Sequence, residues 1–322
     1  IILCLTGISK SNIIKKNLSG RADFTEKIME LRELKYFLAV AQAGSISGAA
    51  EALYITQPSL SRQMQNLERE VGGALFERGK RRITLTERGK LLKKRAEEML
   101  ELYEKTVSEV SAPAQDVSGE VCIGGGETRA MKMVIRAAIK VQRAHPNVKF
   151  RFFSGDGAAV LEKLDKGILD FGLVLDAPDL SLYQSVKLPH CDRWGALVRT
   201  DDELAGKPFV TPDDVRGKKI ITSEQSAAKG TIGEWLGVPR EEQEIAATYN
   251  LLYVGSQLAE EGAGITFGLE GIVAGSGSLC FKPLEPPVFT HADLIWKKYA
   301  VFSRAAELFL ATFKEECKEI YS

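Results

Sequence analysis

The sequence predicts an all-α helix-turn-helix unit with a two-stranded wing, followed by a long linker helix and an α/β region. Three observations support this fold class. The chain has 322 residues, which is too long for one ordinary hydrophobic core. Helical periodicity dominates up to residue 110, and alternating strands and helices follow residue 119. Residues 1–95 carry 18 Lys and Arg against 9 Asp and Glu, whereas the rest of the chain carries 25 against 34.

The composition indicates a globular protein without membrane segments, metal sites or catalytic groups. Hydrophobic residues make up 44% and charged residues 27%, which argues against disorder. No apolar run reaches the roughly 18 residues of a transmembrane helix, and residues 1–8 lack the features of a secretory signal. The 5 cysteines are far apart and there are only 3 histidines. The sequence therefore predicts no metal, no cofactor, no enzyme and a reducing, cytoplasmic location.

The N-terminal region reads as three short helices that begin near Met29. Residues 1–28 show no periodicity and are predicted to be a non-native or disordered extension. Leu31, Leu34, Phe37, Leu38 and Ala41 then mark one helical face. Gly44 ends this helix and Ser45 is a suitable N-cap for the next one. Thr56 is the predicted N-cap of the third helix.

The third helix has an apolar face and an opposite face suited to reading DNA. Leu60, Met64, Leu67 and Val71 recur at core spacing. The opposite face presents small or planar hydrogen-bonding groups and one apolar ring, the kinds of group that contact base edges in a major groove: Pro58, Ser59, Arg62, Gln65 and Asn66. Four basic residues of the following wing are suited to contacts with phosphates: Arg78, Lys80, Arg81 and Arg82. Helix-turn-helix units also occur as structural bundles, but the order of these elements favours DNA binding.

A long helix from Thr86 to about Val110 carries a 4-3-4-3-4 apolar spacing typical of a coiled-coil seam. The seam consists of Leu92, Ala96, Met99, Tyr103, Thr106 and Val110. A monomer could bury this stripe against its own domain, but nothing nearby in sequence offers a matching face. The spacing therefore favours dimerisation through this helix.

Residues 111–119 read as a linker, and the remaining chain alternates between strands and helices in a pattern typical of a parallel α/β sheet. About 200 residues of this kind could form one large sheet or two smaller lobes. The glycines at 124–126 lack the spacing of a phosphate loop and are interpreted as a tight turn between a strand and a helix. No Gly-x-Ser-x-Gly elbow or other catalytic constellation is present.

Residues 31–89 resemble the winged helix-turn-helix of LysR-type transcriptional regulators. The matching motifs are LKYF at 34–37, AAEAL at 49–53, TQPSLSRQ at 56–63, LE at 67–68, LFER at 75–78 and LTE-x-G at 85–89. Less specific matches are HPNV at 145–148 and LDKG-x-LD at 164–170. The family's base-reading positions fall on Gln57, Pro58, Ser59 and Arg62, and its wing arginine falls on Arg78.

The resemblance implies a C-terminal effector domain of two lobes, similar to periplasmic solute-binding proteins and joined by crossover strands near 187–194 and 287–294. It implies a DNA-binding domain at 29–88, a linker and dimerisation segment at 89–117, one lobe at 118–190 with 290–322, and a second lobe at 191–289. Family members are commonly tetramers, so a homodimer or homotetramer is expected. Double-stranded DNA and a small molecule are the expected ligands, and RNA polymerase is a further candidate partner.

Six residues at turns between strands and helices are the candidate effector contacts: Glu127, Thr128, Asp156, Ser223, Tyr249 and Asn250. Capping and turn roles explain each of them equally well. A carboxylate at Glu127 would repel an anion. The ligand would then be neutral, amine-bearing or bridged by a metal, unless Glu127 points away from the site.

The sequence as a whole predicts a sequence-specific, effector-controlled transcriptional regulator. A solute-binding module without DNA activity is the main alternative, and it leaves the basic N-terminal region unexplained. An enzyme on an α/β fold is a second alternative, for which the sequence offers no catalytic set.

Overall fold

A computed structural model describes residues 29–79, 82–110, 117–176, 179–273 and 277–319. The predicted extension at residues 1–28 lies outside this part of the chain. The protein forms two compact units, which divide between Tyr103 and Glu104. Among the described helices, none is both long and apolar enough to cross a membrane.

The first unit begins with three helices: α1 (Leu31–Ala43), α2 (Ile46–Ala52) and α3 (Gln57–Glu70). Gly44 adopts a left-handed conformation with φ 63° and ends α1, as predicted. Ser45 caps α2, because its hydroxyl accepts a hydrogen bond from the Gly48 amide at 3.1 Å. Thr56 occupies the N-cap position of α3, but its side chain makes no capping hydrogen bond.

The apolar faces of these helices form one core. Phe37, Leu60, Met64 and Leu67 are buried together with Ala49 and Ala50, whose small side chains allow the helices to approach closely. The wing consists of the antiparallel strands β1 (Phe76–Arg78) and β2 (Ile83–Leu85). The predicted helix-turn-helix and its wing are therefore confirmed.

Helix α4 (Glu87–Val110) follows the wing, and its start and end agree with the sequence prediction. The Thr86 hydroxyl caps it by accepting a hydrogen bond from the Gly89 amide at 3.0 Å. The division between the two units falls inside this helix.

The second unit alternates strands and helices around a mixed sheet. Its strands are β3 (Gly119–Gly125), β4 (Val148–Ser154), β5 (Phe171–Leu175), β6 (Tyr183–Arg199), β7 (Ile220–Ser223), β8 (Ile245–Tyr249), β9 (Ile265–Leu269), β10 (Leu279–Pro283) and β11 (Phe289–Lys297). Its helices are α5 (Met131–Ala144), α6 (Gly157–Asp165), α7 (Pro212–Val215), α8 (Glu224–Lys229), α9 (Thr231–Leu236), α10 (Leu252–Glu260) and α11 (Arg304–Glu319). Short 3₁₀ turns lie at Glu203–Gly206 and Arg240–Glu242.

The strand order is β4-β3-β5-β11-β6-β9-β7-β8, with β10 also paired to β6. The predicted parallel pairing is confirmed at β3 with β4 and β5, and at β7 with β8 and β9. In the middle of the sheet, β11 and β6 pair antiparallel to each other and to their outer neighbours. The sheet is therefore mixed, because these two strands pass from one half to the other.

Two separate cores define two lobes on either side of the paired β6 and β11. The first lobe packs α5 and α11 on its strands around an aromatic cluster in which the Phe171 and Phe309 ring centroids lie 5.0 Å apart. The second lobe has its own core around Phe267, Val210 and Ile232. This arrangement is the predicted two-lobed α/β fold.

Gly124 and Gly125 serve close packing, whereas Gly126 lies in the predicted turn between the strand and the helix. Gly124 and Gly125 lie within β3. A Cβ atom on Gly124 would lie 2.5 Å from the Leu169 Cδ1 atom, and one on Gly125 would lie 2.4 Å from the Met131 Cε atom. Side chains of the first lobe fill the space above these two positions.

Candidate functional site

The outward face of α3 places the predicted base-reading residues in solvent. Gln57, Pro58, Ser59, Arg62 and Gln65 are exposed, whereas Asn66 is half-buried. The first four lie in the first two turns of α3, whose opposite face is fixed in the core. The N-terminal half of the helix therefore presents an adaptable set of hydrogen-bonding groups on a rigid support.

The wing is attached to α3 through one carboxylate. The Glu68 Oε1 atom accepts hydrogen bonds from the Leu75 amide at 2.8 Å and the Phe76 amide at 3.2 Å. Arg82 is exposed at the start of β2. Lys80, Arg81 and the side chain of Arg78, which were also predicted to contact phosphates, lie outside the described residues.

A cavity of about 100 Å³ lies between the two lobes of the α/β unit. Five of the six predicted effector residues line it: Glu127, Asp156, Ser223, Tyr249 and Asn250. They come from the ends of β3, β4, β7 and β8. Strand ends of this kind are where ligands bind in α/β sheets.

Two side chains cross the cavity to cap a helix of the opposite lobe. The Glu127 carboxylate of the first lobe accepts a hydrogen bond from the Leu252 amide, the first residue of α10 in the second lobe. In the other direction, the Gln225 Oε1 atom of α8 accepts a hydrogen bond at 3.3 Å from the Gly157 amide, which starts α6. The lobes are thus joined by reciprocal helix caps.

Two basic side chains add further links between the lobes. The Lys229 ammonium, at the end of α8, donates hydrogen bonds of 2.9 Å to the Leu175 and Asp176 carbonyl oxygens. Burial lowers the pKa of Lys229, and the nearby Asp176 carboxylate opposes this effect. The Arg129 guanidinium lies 3.5 Å from the Glu270 carboxylate. With the two caps, these contacts hold the cleft closed.

Several cavity residues also have capping or internal hydrogen bonds, the alternative that the sequence left open. Asp156 accepts a hydrogen bond from the Ala159 amide at 2.8 Å, and Ser223 accepts one from the Ser226 amide at 3.1 Å. The Tyr249 hydroxyl donates to the Phe267 carbonyl at 2.6 Å. Burial, together with the Glu127 carboxylate, raises the pKa of Tyr249 well above its usual value. Each of these residues therefore both shapes the cavity and stabilises its wall.

Thr128 is not among the residues that line the cavity, and an effector contact there stays a prediction. The residue is buried, and its hydroxyl donates to the Asp192 carboxylate on β6. The same carboxylate accepts a hydrogen bond from the Arg129 amide at 3.3 Å, and the Thr128 hydroxyl accepts one from the Ala130 amide at 3.0 Å. Asp192 and Thr128 thus satisfy the backbone donors before α5.

Sequence reasoning missed several cavity residues. Those with polar or aromatic side chains include Asp176, Trp194, Gln225, Ser226, Lys229 and Thr290. Ser226 lies one helical turn after Ser223, and Lys229 lies about two turns after it. Recognition of α8 as a helix would therefore have identified both residues. Asp176 and Thr290 meet through a hydrogen bond between distant segments, which no local pattern reveals.

The apolar seam predicted on α4 is divided between two environments. Ala96 is fully buried against Leu34 of α1, and Leu92 packs partly against the same helix. For these two residues the structure therefore favours the alternative that a monomer buries the stripe against its own domain. Met99 and Tyr103 are each 44% exposed and Val110 is 81% exposed, and Thr106 is also exposed. Leu91, Leu102 and Val107 extend this apolar surface.

The C-terminal part of α4 is attached to the α/β unit through a buried ion pair. The Lys105 ammonium lies 2.7 Å from the Asp170 carboxylate and donates a hydrogen bond of 3.0 Å to the Gly167 carbonyl. Both side chains are only 9% exposed. The second Asp170 oxygen accepts a hydrogen bond from the Cys122 amide at 2.7 Å, so the pair is held from β3 as well.

Comparison with known families identifies both units. The family model described as "Bacterial regulatory helix-turn-helix protein, lysR family" matches residues 31–90. The model described as "LysR substrate binding domain" matches residues 114–318, more than half of the chain. The chain belongs to the LysR family.

Curated relatives of this LysR-family chain are named as transcriptional regulators rather than enzymes. BsdA of Bacillus subtilis is 34% identical over 143 residues, which is 44% of this chain and 49% of that protein. The chain thus matches only about half the length of that relative. YbhD of Escherichia coli, described as an uncharacterized HTH-type transcriptional regulator, is 28% identical over 88% of this chain and 90% of its own length.

A solved structure shows the same fold. CbnR, described as a LysR family transcriptional regulator, superposes with a TM-score of 0.72 at 22% sequence identity. The superposition covers 90% of this chain and 99% of that chain. The order of a winged helix-turn-helix, a long helix and a two-lobed α/β domain is thus shared along nearly the whole of both proteins.

Proposed function

We propose that this protein is a sequence-specific DNA-binding transcriptional regulator controlled by a small molecule bound between its α/β lobes. The observation that carries the proposal is the exposed N-terminal half of α3 on a buried apolar support, in a chain of the LysR family. Recognition helices of this class place their N-terminal residues against base edges in the major groove.

The first unit supplies the groups that such recognition requires. Arg62 is exposed and forms no ion pair with any residue that the structure describes, so its guanidinium is available for a bidentate contact with guanine. Gln57, Ser59, Gln65 and the half-buried Asn66 add donors and acceptors on the same helix, and Pro58 adds an apolar contact. Arg82 and the three other wing residues that the sequence predicts would bind phosphates and position the helix.

The cavity between the lobes supplies the control element. A ligand that contacts both walls binds the closed arrangement of the lobes better than an open one, so it shifts the population between them. The Glu127, Gln225 and Lys229 contacts already span the cleft. Ligand binding would therefore strengthen or replace contacts that the chain makes itself.

The exposed apolar residues of α4 support assembly into dimers. Met99, Tyr103 and Val110 are exposed apolar side chains on the helix that also carries the buried Ala96 and the partly buried Leu92. A dimer would hold two recognition helices for adjacent half-sites and raise their effective concentration on DNA. A homotetramer, and contact with RNA polymerase, are further proposals that rest on the family alone.

The domain division predicted from the sequence, with boundaries near 88, 117, 190 and 290, remains part of this proposal, as does a cytoplasmic location. Cytoplasmic location suits a protein whose partner is chromosomal DNA.

Selection from random DNA duplexes tests the proposed function. The full chain should enrich a partly palindromic sequence, because two recognition helices related by symmetry read two half-sites. An Arg62→Ala protein should enrich sequences with the same distance between half-sites but with a weaker base preference within each half-site. Recovery of unselected sequences by the wild-type chain would show that it is not a sequence-specific regulator.

A further inference from the structure

The cavity between the lobes has an excess of negative charge. Its lining contains four carboxylates, at Glu127, Asp156, Asp176 and Glu224, and one ammonium, at Lys229. The N-termini of α6, α8 and α10 also face it, and each counts as roughly half a positive charge. The three net negative side-chain charges are therefore reduced to a net charge of roughly one and a half negative charges, so the cavity disfavours an anion.

Three backbone donors at the cavity that could bind an anion are occupied by the chain itself. At the start of α10, the Leu252 amide donates to Glu127. At the start of α6, the Gly157 amide donates to Gln225 and the Ala159 amide donates to Asp156. A carboxylate or phosphate ligand would have to displace these groups while also approaching their charges.

Acceptors, in contrast, are available on the cavity wall. Glu127 uses Oε2 and Asp156 uses Oδ1 for these caps, and within the described residues the second oxygen of each carboxylate accepts no hydrogen bond. Ser226 provides an independent observation. It lines the cavity and is only 3% exposed, and its hydroxyl has no hydrogen-bond partner among the described residues. A buried hydroxyl without a partner is costly unless a ligand satisfies it.

We propose that the effector of this protein is a compact organic cation, whose ammonium group binds among Glu127, Asp156 and the Ser226 hydroxyl. An ammonium ion has three donors and no acceptor, which matches two free carboxylate oxygens and one hydroxyl. A cavity of about 100 Å³ accommodates only a small molecule. The described residues include no group of three or more His, Cys, Asp or Glu placed to hold a metal ion, which argues against a metal-bridged ligand. This inference rests on the effector function proposed above.

Matched probes of opposite charge test the proposal on the full chain. The probes are the linear primary ammonium chlorides from ethylammonium to hexylammonium and the sodium carboxylates from acetate to hexanoate, at equal ionic strength. At least one ammonium ion should raise the melting temperature by about 2–4 °C at millimolar concentration, and the carboxylates should not. Stabilisation by a carboxylate greater than by every ammonium ion, or no stabilisation by any ammonium ion, would overturn the proposal.

Variants that preserve the helix caps locate the bound cation. Glu127→Gln and Asp156→Asn each keep an oxygen acceptor for the capped amide but remove the charge. Each should raise the calorimetric Kd of the best ammonium probe about tenfold. Ser226→Ala should weaken binding about fivefold while the melting temperature of the free protein stays equal or rises, because the variant removes an unpartnered buried group. Unchanged affinity in all three variants would place the cation elsewhere.

A control variant and a separate assay distinguish the two proposals. Glu241→Gln makes the same charge change at an exposed turn outside the cavity, so it should bind the probe as the wild type does. A carboxylate that stabilises the wild type more than every ammonium ion does would overturn the cationic effector, but it would still support control by a small-molecule effector. Failure of the DNA selection would overturn the proposed regulatory function, but it would not affect the proposal that the cavity binds a cation.

Discussion

The Glu127 carboxylate and the Leu252 amide form a hydrogen bond across the interlobe cleft, so one lobe supplies the helix cap of the other. Leu251, at the N-cap position of α10, makes no capping bond of its own. The first turn of α10 therefore depends on a side chain that is 125 positions away in sequence. Opening of the cleft would therefore remove the cap from the first turn of α10.

Glu127→Ala should loosen the start of α10. Loss of a cap costs about 1 kcal/mol, which corresponds to about a fivefold larger population of the open turn. Amide hydrogen exchange in the peptide that contains Leu252 should accelerate by that factor. Glu127→Gln keeps an oxygen acceptor and should exchange nearly as slowly as the wild type. Equal exchange in all three proteins would show that the cross-cleft cap does not stabilise α10.

Arg62→Ala should reduce affinity for the selected operator by about 1–3 kcal/mol and affect random DNA much less. The matched control is Arg69→Ala, because Arg69 is exposed on the last turn of α3 and carries the same charge. Fluorescence anisotropy with operator and random duplexes provides the measurement. Equal losses on both duplexes would mean that Arg62 contacts only phosphate.

Arg82→Ala should weaken binding to all sequences and reduce the slope of log K against log salt by about one unit, because one phosphate contact is lost. Arg216→Ala removes the same charge from an exposed site in the α/β unit and serves as the control. Titrations at four salt concentrations measure the slope. A slope equal to that of the wild type would exclude Arg82 from the DNA interface.

Met99→Glu should dissociate the proposed dimer. The carboxylate would be desolvated in a dimer but hydrated in a monomer, and symmetry repeats the cost at two sites. Sedimentation velocity should show the dimer Kd raised at least about tenfold, and operator affinity should fall with it. Tyr299→Glu places the same charge on another exposed apolar residue and should remain dimeric. A Met99→Glu protein that sediments as the wild type would contradict assembly through α4.

Lys105→Met should destabilise the α/β unit strongly, because it leaves the Asp170 carboxylate buried without its partner. Breaking a buried pair in this way costs about 3–5 kcal/mol. Lys105→Met combined with Asp170→Asn should cost much less, since the amide carries no charge and can still accept the Cys122 amide hydrogen bond. Urea unfolding followed by tryptophan fluorescence measures both. Additive losses in the double variant would show that the two side chains do not interact.

The local elements could be predicted from the sequence because local rules determine them. Gly44 ends α1 because glycine readily adopts a positive φ. Ser45 and Thr86 start α2 and α4 because their hydroxyls cap the first turn. The spacing of Leu60, Met64 and Leu67 identified the buried face of α3 and, by exclusion, its exposed face. Five of the six proposed effector residues line the cavity for the same reason, since turns after parallel strands meet at one edge of a sheet.

The features that could not be predicted from the sequence depend mainly on contacts between distant segments. Ala96 fits a coiled-coil seam by spacing, and only the fold shows that Leu34 covers it. Thr128 occupies a turn beside the cleft, but the buried Asp192, 64 residues away, binds its hydroxyl. Ser226 and Lys229 were missed because α8 is only 6 residues long, too short to produce a periodic pattern.

The placement of α11 has a consequence for the order in which the protein is synthesised. Phe309 of this helix contacts Phe150 and Phe171, which belong to strands made about 140 to 160 residues earlier. On the ribosome, α5 can cover part of the apolar sheet surface of the first lobe, but the part that α11 covers stays exposed until the whole second lobe has emerged. The lobe that begins first is completed last, so a chaperone that covers this sheet surface would act while the second lobe is being translated.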